Sequence, residues 1–521
     1  MTFRKETFIV FSAYAILAVI LFPHYKYFVD SPDALQYIVI AQKYSAGNFG
    51  GAINSFWSPL FSWLLSVFLL SGIEPFFLAK VLQLIIGAFA ILGIIRLISH
   101  SDNKIIFYVI LFSVIVFVLS CALLVLTADL LFLTLTIWLA VLFCNQNGYV
   151  KNISSAFIFG ILGALLYFSK SIGFTFFIAS FTSFNLYLNY KKAFPLKTLF
   201  AKYIFTMIVF LGLSSVWICL ISKKENKFVI SSAASYNFFN IGPQSNPDVF
   251  SEVRHPYSWQ GLIPPAHESS LCSWEEPHKM NLEKWSPLSD SYAFKHYLRV
   301  IGKNILSIRS FYFGLDAGTI LLLGLMLLWF YKKESVKNIF WENIILIILC
   351  LCCTLPYVFL LVMERYVWIN MIAIAILTVF VLRELTKKNK TVGILFLFIF
   401  MLLFIRQPVI ELRKYYNEHE TIFNDRTSLS EYVKGETASI ISSGENPDEH
   451  YAKSTLVSYF ANEKYFGILS VPKPVKSMQE ELNKFKVVYL LSWNDSAAVP
   501  DSIYSAVEKF SSSGVSVYKL K

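Results

Sequence analysis

Long, nearly uninterrupted apolar runs decide what this 521-residue chain can fold into. The clearest lie at 8–22, 78–98, 105–127, 130–144, 153–169, 172–189, 203–221, 317–331, 340–362, 366–382 and 391–405. Each reaches or approaches the ~20 residues that cross the roughly 30 Å hydrocarbon core of a bilayer. Backbone in lipid must satisfy its own hydrogen bonds, so each run reads as a helix. Composition agrees: 56% of residues are hydrophobic and 15% charged, against about 45–50% and 25% in soluble domains. The expected fold class is an α-helical polytopic membrane protein of about eleven transmembrane helices, followed by a small C-terminal α/β domain.

The run 60–70 is shorter than a span and sits between Pro59 and Gly72, which suits a re-entrant or interfacial segment. Basic clusters test that choice, because Lys and Arg gather in short cytoplasmic loops. With the amino terminus inside and 60–70 not crossing, the clusters fall inside: Arg96 to Lys104, Lys191-Lys192 with Lys197, Lys332-Lys333 with Lys337, and Lys387-Lys388 with Lys390. Counting 60–70 as a span would send all of them outside. Arg4-Lys5 before 8–22 imitates a secretory signal, but no Ala-x-Ala-like cleavage site follows, so an uncleaved first span is expected. The net charge of +11 is scattered over these loops, and a chain with no single basic stripe is not expected to bind nucleic acid. All of the seven cysteines except Cys272 lie in or at the ends of apolar runs, which gives no disulfide framework.

These readings divide the chain into a membrane module, 1–406, and an extracytoplasmic α/β domain, 407–521. The module carries a first outer loop with interfacial helices, 30–76, and a large outer loop, 222–316. The large loop is dense in proline and holds Trp259, Trp274 and Trp285, a composition that predicts an ordered lid. Within it, 294–312 has the pattern of a basic amphipathic helix lying at the interface. In the tail, strand-like runs at 438–442, 465–471, 486–492 and 515–519 alternate with helix-like stretches at 426–433, 450–461, 475–484 and 502–511. Such alternation predicts a largely parallel sheet.

Charged residues at the outer ends of the spans are the candidates for chemistry. Ser31 and Pro32 read as cap and first residue of a helix, with Asp33 in the first turn, where a carboxylate suits the helix dipole. Asp33, Gln36 and Lys43 share one face, whereas Leu35, Ile38, Val39 and Ala46 point elsewhere, so this helix is expected to float its apolar side in the interface. Asp33 has a plainer reading as a simple helix-terminal charge, and Asp30 competes with it for any catalytic role. Asp129, in Leu-Thr-Ala-Asp-Leu-Leu-Phe, is embedded between two apolar runs, and an ionisable residue at such depth is functional by default. Lys170 and the triplet Glu364-Arg365-Tyr366 occupy tight outer turns, where snorkelling is the plainer account.

Taken in order, "DALQYIVIAQ", "WSPL", "TADLLFLTLTIWLA", "GILGALLYFSKSIG" and "ERY" resemble the GT-C superfamily, more narrowly its protein mannosyltransferase and aminoarabinose transferase branch. The resemblance covers 8–190 well and 340–405 loosely. It implies an inverting glycosyltransferase that takes a sugar from a polyprenyl phosphate on the non-cytoplasmic face of a multi-pass membrane protein. The lack of a eukaryotic retention signal, with a short cytoplasmic amino terminus, leads to the expectation of a bacterial inner membrane. The acceptor is then a hydroxyl of a glycan, lipid or protein. On that resemblance Asp33 is the general base and Lys170 and Arg365 hold the lipid phosphate. Asp30, Tyr37, Asp129, Glu364 and Tyr366 complete the substrate contacts, Asp129 orienting the acceptor or sugar or raising the pKa of Asp33. Many relatives carry Asp-Glu in the first loop, whereas Ala34 follows Asp33 here. Paired carboxylates suit Mg²⁺ or Mn²⁺, and branches of the family differ in metal use. His255, His267 and His278 lack metal-ligand spacing and read as surface histidines. The loop 222–316 would exclude water, its tryptophans stacking on sugar or resting on headgroups. The competing reading is a transporter or lipid-linked sugar flippase, which calls for broken helices and charges near the midplane, often in two matching halves; the sequence shows no such halves. A scaffold whose tail recruits a partner would leave the outer-face charges without a role.

Overall fold

Every apolar run named above contains a helix in the computed structural model, which describes residues 2–29, 31–98, 103–251, 253–313, 316–416, 427–431, 433, 439–443, 447–469, 475–493, 504–510 and 515–520. Among the described residues six helices are long and apolar enough to cross a membrane: Lys5–His24, Pro75–Ile98, Lys104–Leu124, Leu196–Glu225, Ile369–Lys388 and Lys390–Lys414. Two bent helix pairs raise this to eight, one of them Lys333–Glu342 with Ile344–Val358, bent by 63°. Asp129–Cys144 and Ile153–Ser169 are apolar but shorter, and Gly173–Tyr190 packs beside them.

Lys104–Leu124 forms the middle of the bundle, with residues buried all round. The first helix lies at the edge and leaves Phe8, Ile16 and Val19 exposed. A rim of large exposed apolar side chains is what a lipid-facing surface requires. Helices approach closely where glycine allows it. A Cβ on Gly160 would stand 2.9 Å from the Thr206 carbonyl oxygen, so any larger residue would push Ile153–Ser169 off Leu196–Glu225. The buried Lys80 and Gln83 donate to the carbonyls of Leu123 and Thr127, each at 2.6 Å. They thereby satisfy backbone acceptors where Lys104–Leu124 ends, as a helix C-terminus needs, and fix the segment that leads into Asp129.

The helix Pro32–Ser45 departs from expectation. It does not float in the interface; Ala34 to Ala41 are buried without a break. Its apolar side packs on Leu60–Leu69, whose Ser62 Oγ donates to the Tyr37 carbonyl at 2.9 Å. That partner helix has 10 residues, or about 15 Å at 1.5 Å per residue, too short to span. The polar side is covered by the large loop: Lys43 forms a buried ion pair with Glu275, and Gln36 Nε2 lies 3.5 Å from Cys272 Sγ. Polar groups that face a neighbouring loop instead of water must find partners there, as Lys43 and the Gln36 amide nitrogen do.

The tail sheet has strands β1 (Ser439–Ser443), β2 (Lys464–Ile468), β3 (Val487–Trp493), β4 (Tyr504–Phe510) and β5 (Val515–Leu520) in the order β2-β1-β3-β5-β4. β1 runs parallel to β2 and β3, but β5 runs antiparallel to β3 and β4, so the sheet is mixed rather than largely parallel. The helix expected over 502–511 is instead β4. Its Ala506, Glu508 and Lys509 favour a helix locally, yet the connection to β5 is too short for a parallel crossover and suits a hairpin; Phe510 pairs with Val515.

β2 is an edge strand, and the large loop pairs along it. Ile263 N donates to Phe466 O at 2.7 Å, and Tyr465 N donates to Leu271 O at 2.9 Å. Gly467 adopts a φ of +104° opposite Leu262, a conformation that favours glycine. The helix Pro447–Ala461 packs on Pro32–Ser45, Tyr451 stacks on Tyr257 with ring centroids 3.9 Å apart, and Tyr459 and Phe460 meet Phe76. Tail, loop and first-loop helix thus form one packed unit over one end of the bundle. The last membrane helix runs to Lys414, past position 406.

Candidate active site

Beneath that unit lies a cavity of about 750 Å³. Four of the charged side chains that line it come from separate segments, each delivered by a helix end. Asp33 stands in the first turn of Pro32–Ser45 and Asp129 opens Asp129–Cys144, both at positions where the dipole favours a carboxylate. Lys170 directly follows Ile153–Ser169, at a C-terminus that favours a cation. Arg365 lies in the single turn Glu364–Val367 before Ile369–Lys388.

These groups form a continuous chain of opposite charges. Lys170 Nζ is 2.5 Å from Asp129 Oδ1. Arg365 Nη2 is 2.5 Å from Asp33 Oδ2, and its Nε is 3.8 Å from Asp129 Oδ2. Thr127 Oγ1 donates to Asp129 Oδ2 at 2.5 Å, and Trp274 Nε1 donates to Asp33 Oδ1 at 2.9 Å. The side chains of Asp129, Arg365, Asp33 and Lys170 are 5%, 12%, 17% and 17% exposed, enough shielding for the pairing to matter. The Tyr366 ring supports both cations, with Lys170 Nζ 3.9 Å and Arg365 Cζ 5.5 Å from its centroid. Tyr37 completes this wall. Its hydroxyl is pushed well above the ordinary value by burial and by the Asp129 and Asp33 carboxylates, so it remains a neutral donor.

The opposite wall comes from the large loop and from the helix Ser291–Tyr312. Tyr236, Asn237, His255, Tyr257 and Trp274 line it, with Lys303, Asn304 and Ser307 alongside. Asn304 Nδ2 donates to the carbonyls of Val358 and Leu360 at 2.9 and 3.0 Å, which pins the amphipathic helix to the strand of chain leading into Arg365. His255 is not a surface histidine: its ring meets Trp274 edge-on at 4.7 Å and its Nδ1 lies 3.2 Å from the Tyr236 hydroxyl. His278 is also withdrawn from the surface, 2.9 Å from Glu225. Trp274 alone of the three loop tryptophans faces the cavity; Trp285 stacks on Phe238 and donates to its carbonyl.

Of the residues singled out in the sequence, Asp33, Tyr37, Asp129, Lys170, Arg365 and Tyr366 line this one cavity. Glu364 does not line it; its carboxyl is raised by burial and by the carboxylates of Glu411 and Asp316. Asp30 lies outside the described residues. The loop's His255, Tyr236 and Tyr257 were not assigned to a site, since an aperiodic loop offers no register from which to read them; its tryptophan density was the one available signal.

Mg²⁺ or Mn²⁺ would need several free oxygen ligands. Asp33 and Asp129 are the only acidic groups lining the cavity among the described residues, and each is already paired with a cation. No group of three or more His, Cys, Asp or Glu suited to a metal occurs among the described residues. This donor set does not fit a divalent ion.

No protein-family model and no curated protein matches the sequence. Solved structures do. The archaeal oligosaccharyltransferase AglB from Archaeoglobus fulgidus, in complex with an inhibitory peptide and a dolichol-phosphate, superposes with a TM-score of 0.54 at 13% identity, covering 95% of this chain and 70% of that one. An Archaeoglobus fulgidus oligosaccharyltransferase in complex with Zn and sulfate gives 0.52 at 13% identity, covering 93% and 68%. ArnT from Cupriavidus metallidurans bound to undecaprenyl phosphate gives 0.46 at 10% identity, covering 99% and 97%. What the likeness establishes is the fold, which this chain shares with the archaeal oligosaccharyltransferase.

Proposed function

We propose that this protein is a membrane glycosyltransferase that moves a sugar from a polyprenyl-phosphate donor to an acceptor hydroxyl on the non-cytoplasmic face, with inversion. The observation that carries the reading is the chain Lys170–Asp129–Arg365–Asp33 in one cavity at a single end of the helix bundle. The fold and the dolichol-phosphate held by the archaeal neighbour support it.

In this reading Lys170 and Arg365 take the phosphate of the donor, and Arg365 is shaped for two-point contact with its oxygens. Both oxygens of Asp33 are engaged without donor, one by Arg365 and one by Trp274. An arriving phosphate competes for Arg365 and so frees a lone pair on Asp33. The acceptor hydroxyl oxygen then attacks the anomeric carbon opposite the phosphate. Its proton passes to Asp33 as general base, the bond from anomeric carbon to phosphate oxygen breaks, and the two cations hold the polyprenyl phosphate that leaves. His255, Tyr257 and Trp274 close the cavity and limit water as a rival acceptor. Every step uses the chain's own groups. The short basic loops put the opposite ends of the spans in the cytoplasm, which leaves cavity and tail on the outer side.

The test is transfer itself. The full chain in nanodiscs is given polyprenyl-phosphate sugars labelled in the sugar, with glycan, lipid and peptide acceptors. Expected is loss of label from the lipid, free polyprenyl phosphate in equal amount and label on one acceptor class. In proteoliposomes, movement of the intact lipid-linked sugar between leaflets with no bond cleavage would instead make the protein a transporter.

A further inference from the structure

A second concavity, about 690 Å³, opens in the large loop and is lined by Gln244, Trp259, Gln260, Asn281 and Glu283. We propose that this groove is a binding subsite for an uncharged carbohydrate, the part of an extended acceptor glycan that lies beyond its reacting end. The identification of the ligand as acceptor rests on the transferase reading above; the groove itself does not.

The lining argues for sugar by its chemistry. Three carboxamides and one carboxylate offer donors and acceptors in the alternation that hydroxyl groups satisfy, and an indole supplies an apolar platform with a polar edge. Among the described residues neither Lys nor Arg lines it, so none of them attracts the phosphate of a lipid donor. The indole Nε1 of Trp259 is buried with no hydrogen-bond partner, while the residue itself lines the groove.

The groove is also built. The turn Pro256–Ser258 directs the backbone nitrogens of Trp259 and Gln260 onto the Pro256 carbonyl, at 3.2 and 2.8 Å. Gln260 Nε2 in turn donates to the Asn281 carbonyl, tying the two sides of the groove together. His255 and Tyr257, on the same turn, face the catalytic cavity. One short turn thus separates the two sites, and a linear glycan crossing it would occupy both.

The experiment is saturation-transfer NMR and calorimetry on the full chain in nanodiscs, with mannotetraose, cellotetraose and N-acetylchitotetraose as probes. Expected is binding of at least one probe, weakened about tenfold or more in Trp259→Ala and in Gln244→Ala/Asn281→Ala, and undiminished by excess undecaprenyl phosphate. The amide pair keeps the test open should Trp259→Ala fold poorly. Absence of binding by all three probes, unchanged binding in both variants, or competition by the lipid phosphate would overturn the subsite. In the transfer assay Trp259→Ala should raise the acceptor KM and leave the donor KM unchanged. Intact probe binding in a chain that transfers no sugar would sink the transferase reading and spare the groove.

Discussion

Arg365 donates to Asp33 across 332 residues of sequence, Nη2 to Oδ2 at 2.5 Å, and the same guanidinium approaches Asp129 at 3.8 Å. One cation therefore joins the two carboxylates that line the cavity, and in the proposed mechanism its position sets which of them is available for proton transfer.

The first consequence concerns Asp33. Asn is isosteric and retains an acceptor for Trp274, but it cannot take a proton at neutral pH. Asp33→Asn should lower transfer by about 10²–10⁴-fold, the usual worth of a positioned base, with the protein still inserted and monodisperse. Transfer rates of purified variants measure this. Activity kept in Asp33→Asn but lost in Asp30→Asn would move the base three residues upstream.

Lys170 separates binding from stability. Lys170→Met strands Asp129, 5% exposed, beside Arg365 alone, and removing one partner of a buried pair costs about 3–5 kcal/mol. The melting temperature should fall and the donor KM rise, with the acceptor KM little changed. Adding Asp129→Leu should recover most of the stability, since an apolar pair of similar size can replace a buried ion pair, without recovering donor affinity. Equal donor affinity in Lys170→Met and the parent would remove Lys170 from the phosphate site.

Much of this site was legible because charges at the ends of apolar runs are expensive to keep there. Asp129 and Lys170 stand out from their neighbours for that reason, and Asp33 and Arg365 follow helix starts and turns. The covering layer was not legible. Trp274 reaches Asp33 from 241 residues away, and no period in the loop marks which tryptophan points inward. Burial of the polar face of Pro32–Ser45 has the same cause: Gln36 and Lys43 look solvent-facing until Cys272 and Glu275 are docked on them. β4 shows the limit of local propensity, since Ala506, Glu508 and Lys509 favour a helix but hairpin pairing with β5 prevails.

Trp274 should act through Asp33. Trp274→Phe keeps an aromatic body against Tyr257 and His255 but removes the Nε1 donor to Oδ1. A hydrogen bond to a charged group contributes about 1.5–3 kcal/mol, so the carboxylate is left less fixed in place. The kcat should drop about tenfold or more, with the melting temperature little changed. A kcat equal to the parent's would make the indole a packing element only.

The fold ties the sidedness of the tail to that of the cavity. Helix Pro447–Ala461 packs on Pro32–Ser45, so a reagent that reaches one from outside must reach the other. Glu449 is 50% exposed, and its ion pair with Lys453 is a surface pair of small worth. Glu449→Cys in a chain with Cys144 and Cys219 replaced by Ser should react with an impermeant maleimide on intact spheroplasts. Labelling only after lysis would reverse the orientation and put the cavity in the cytoplasm.

His278 makes the closure of the loop depend on pH. Its Nε2 lies 2.9 Å from Glu225 Oε1, while Glu225 also accepts from Ser55 at 2.7 Å. Burial lowers the imidazole below its ordinary 6.5, although Glu225 and Glu276 pull the other way and Lys279 adds to the lowering. His267, against Glu276 and Lys279, is lowered by burial as well. Glu276 is driven up by burial but is brought below its usual value by Lys224 and Lys279, so it stays charged through this window. For both histidines the unfolded loop binds the proton more tightly than the folded one, so stability rises with pH. Their contribution is complete above 6.5 and is lost as pH falls through that value towards the depressed folded one. Hydrogen exchange over 275–280, corrected for its intrinsic pH dependence, should therefore quicken as pH falls below 6.5. His278→Gln, which keeps a donor for Glu225, should flatten most of that dependence, and His267→Gln the remainder. Exchange with the same pH response in the double variant as in the parent would place the sensitivity outside this pair.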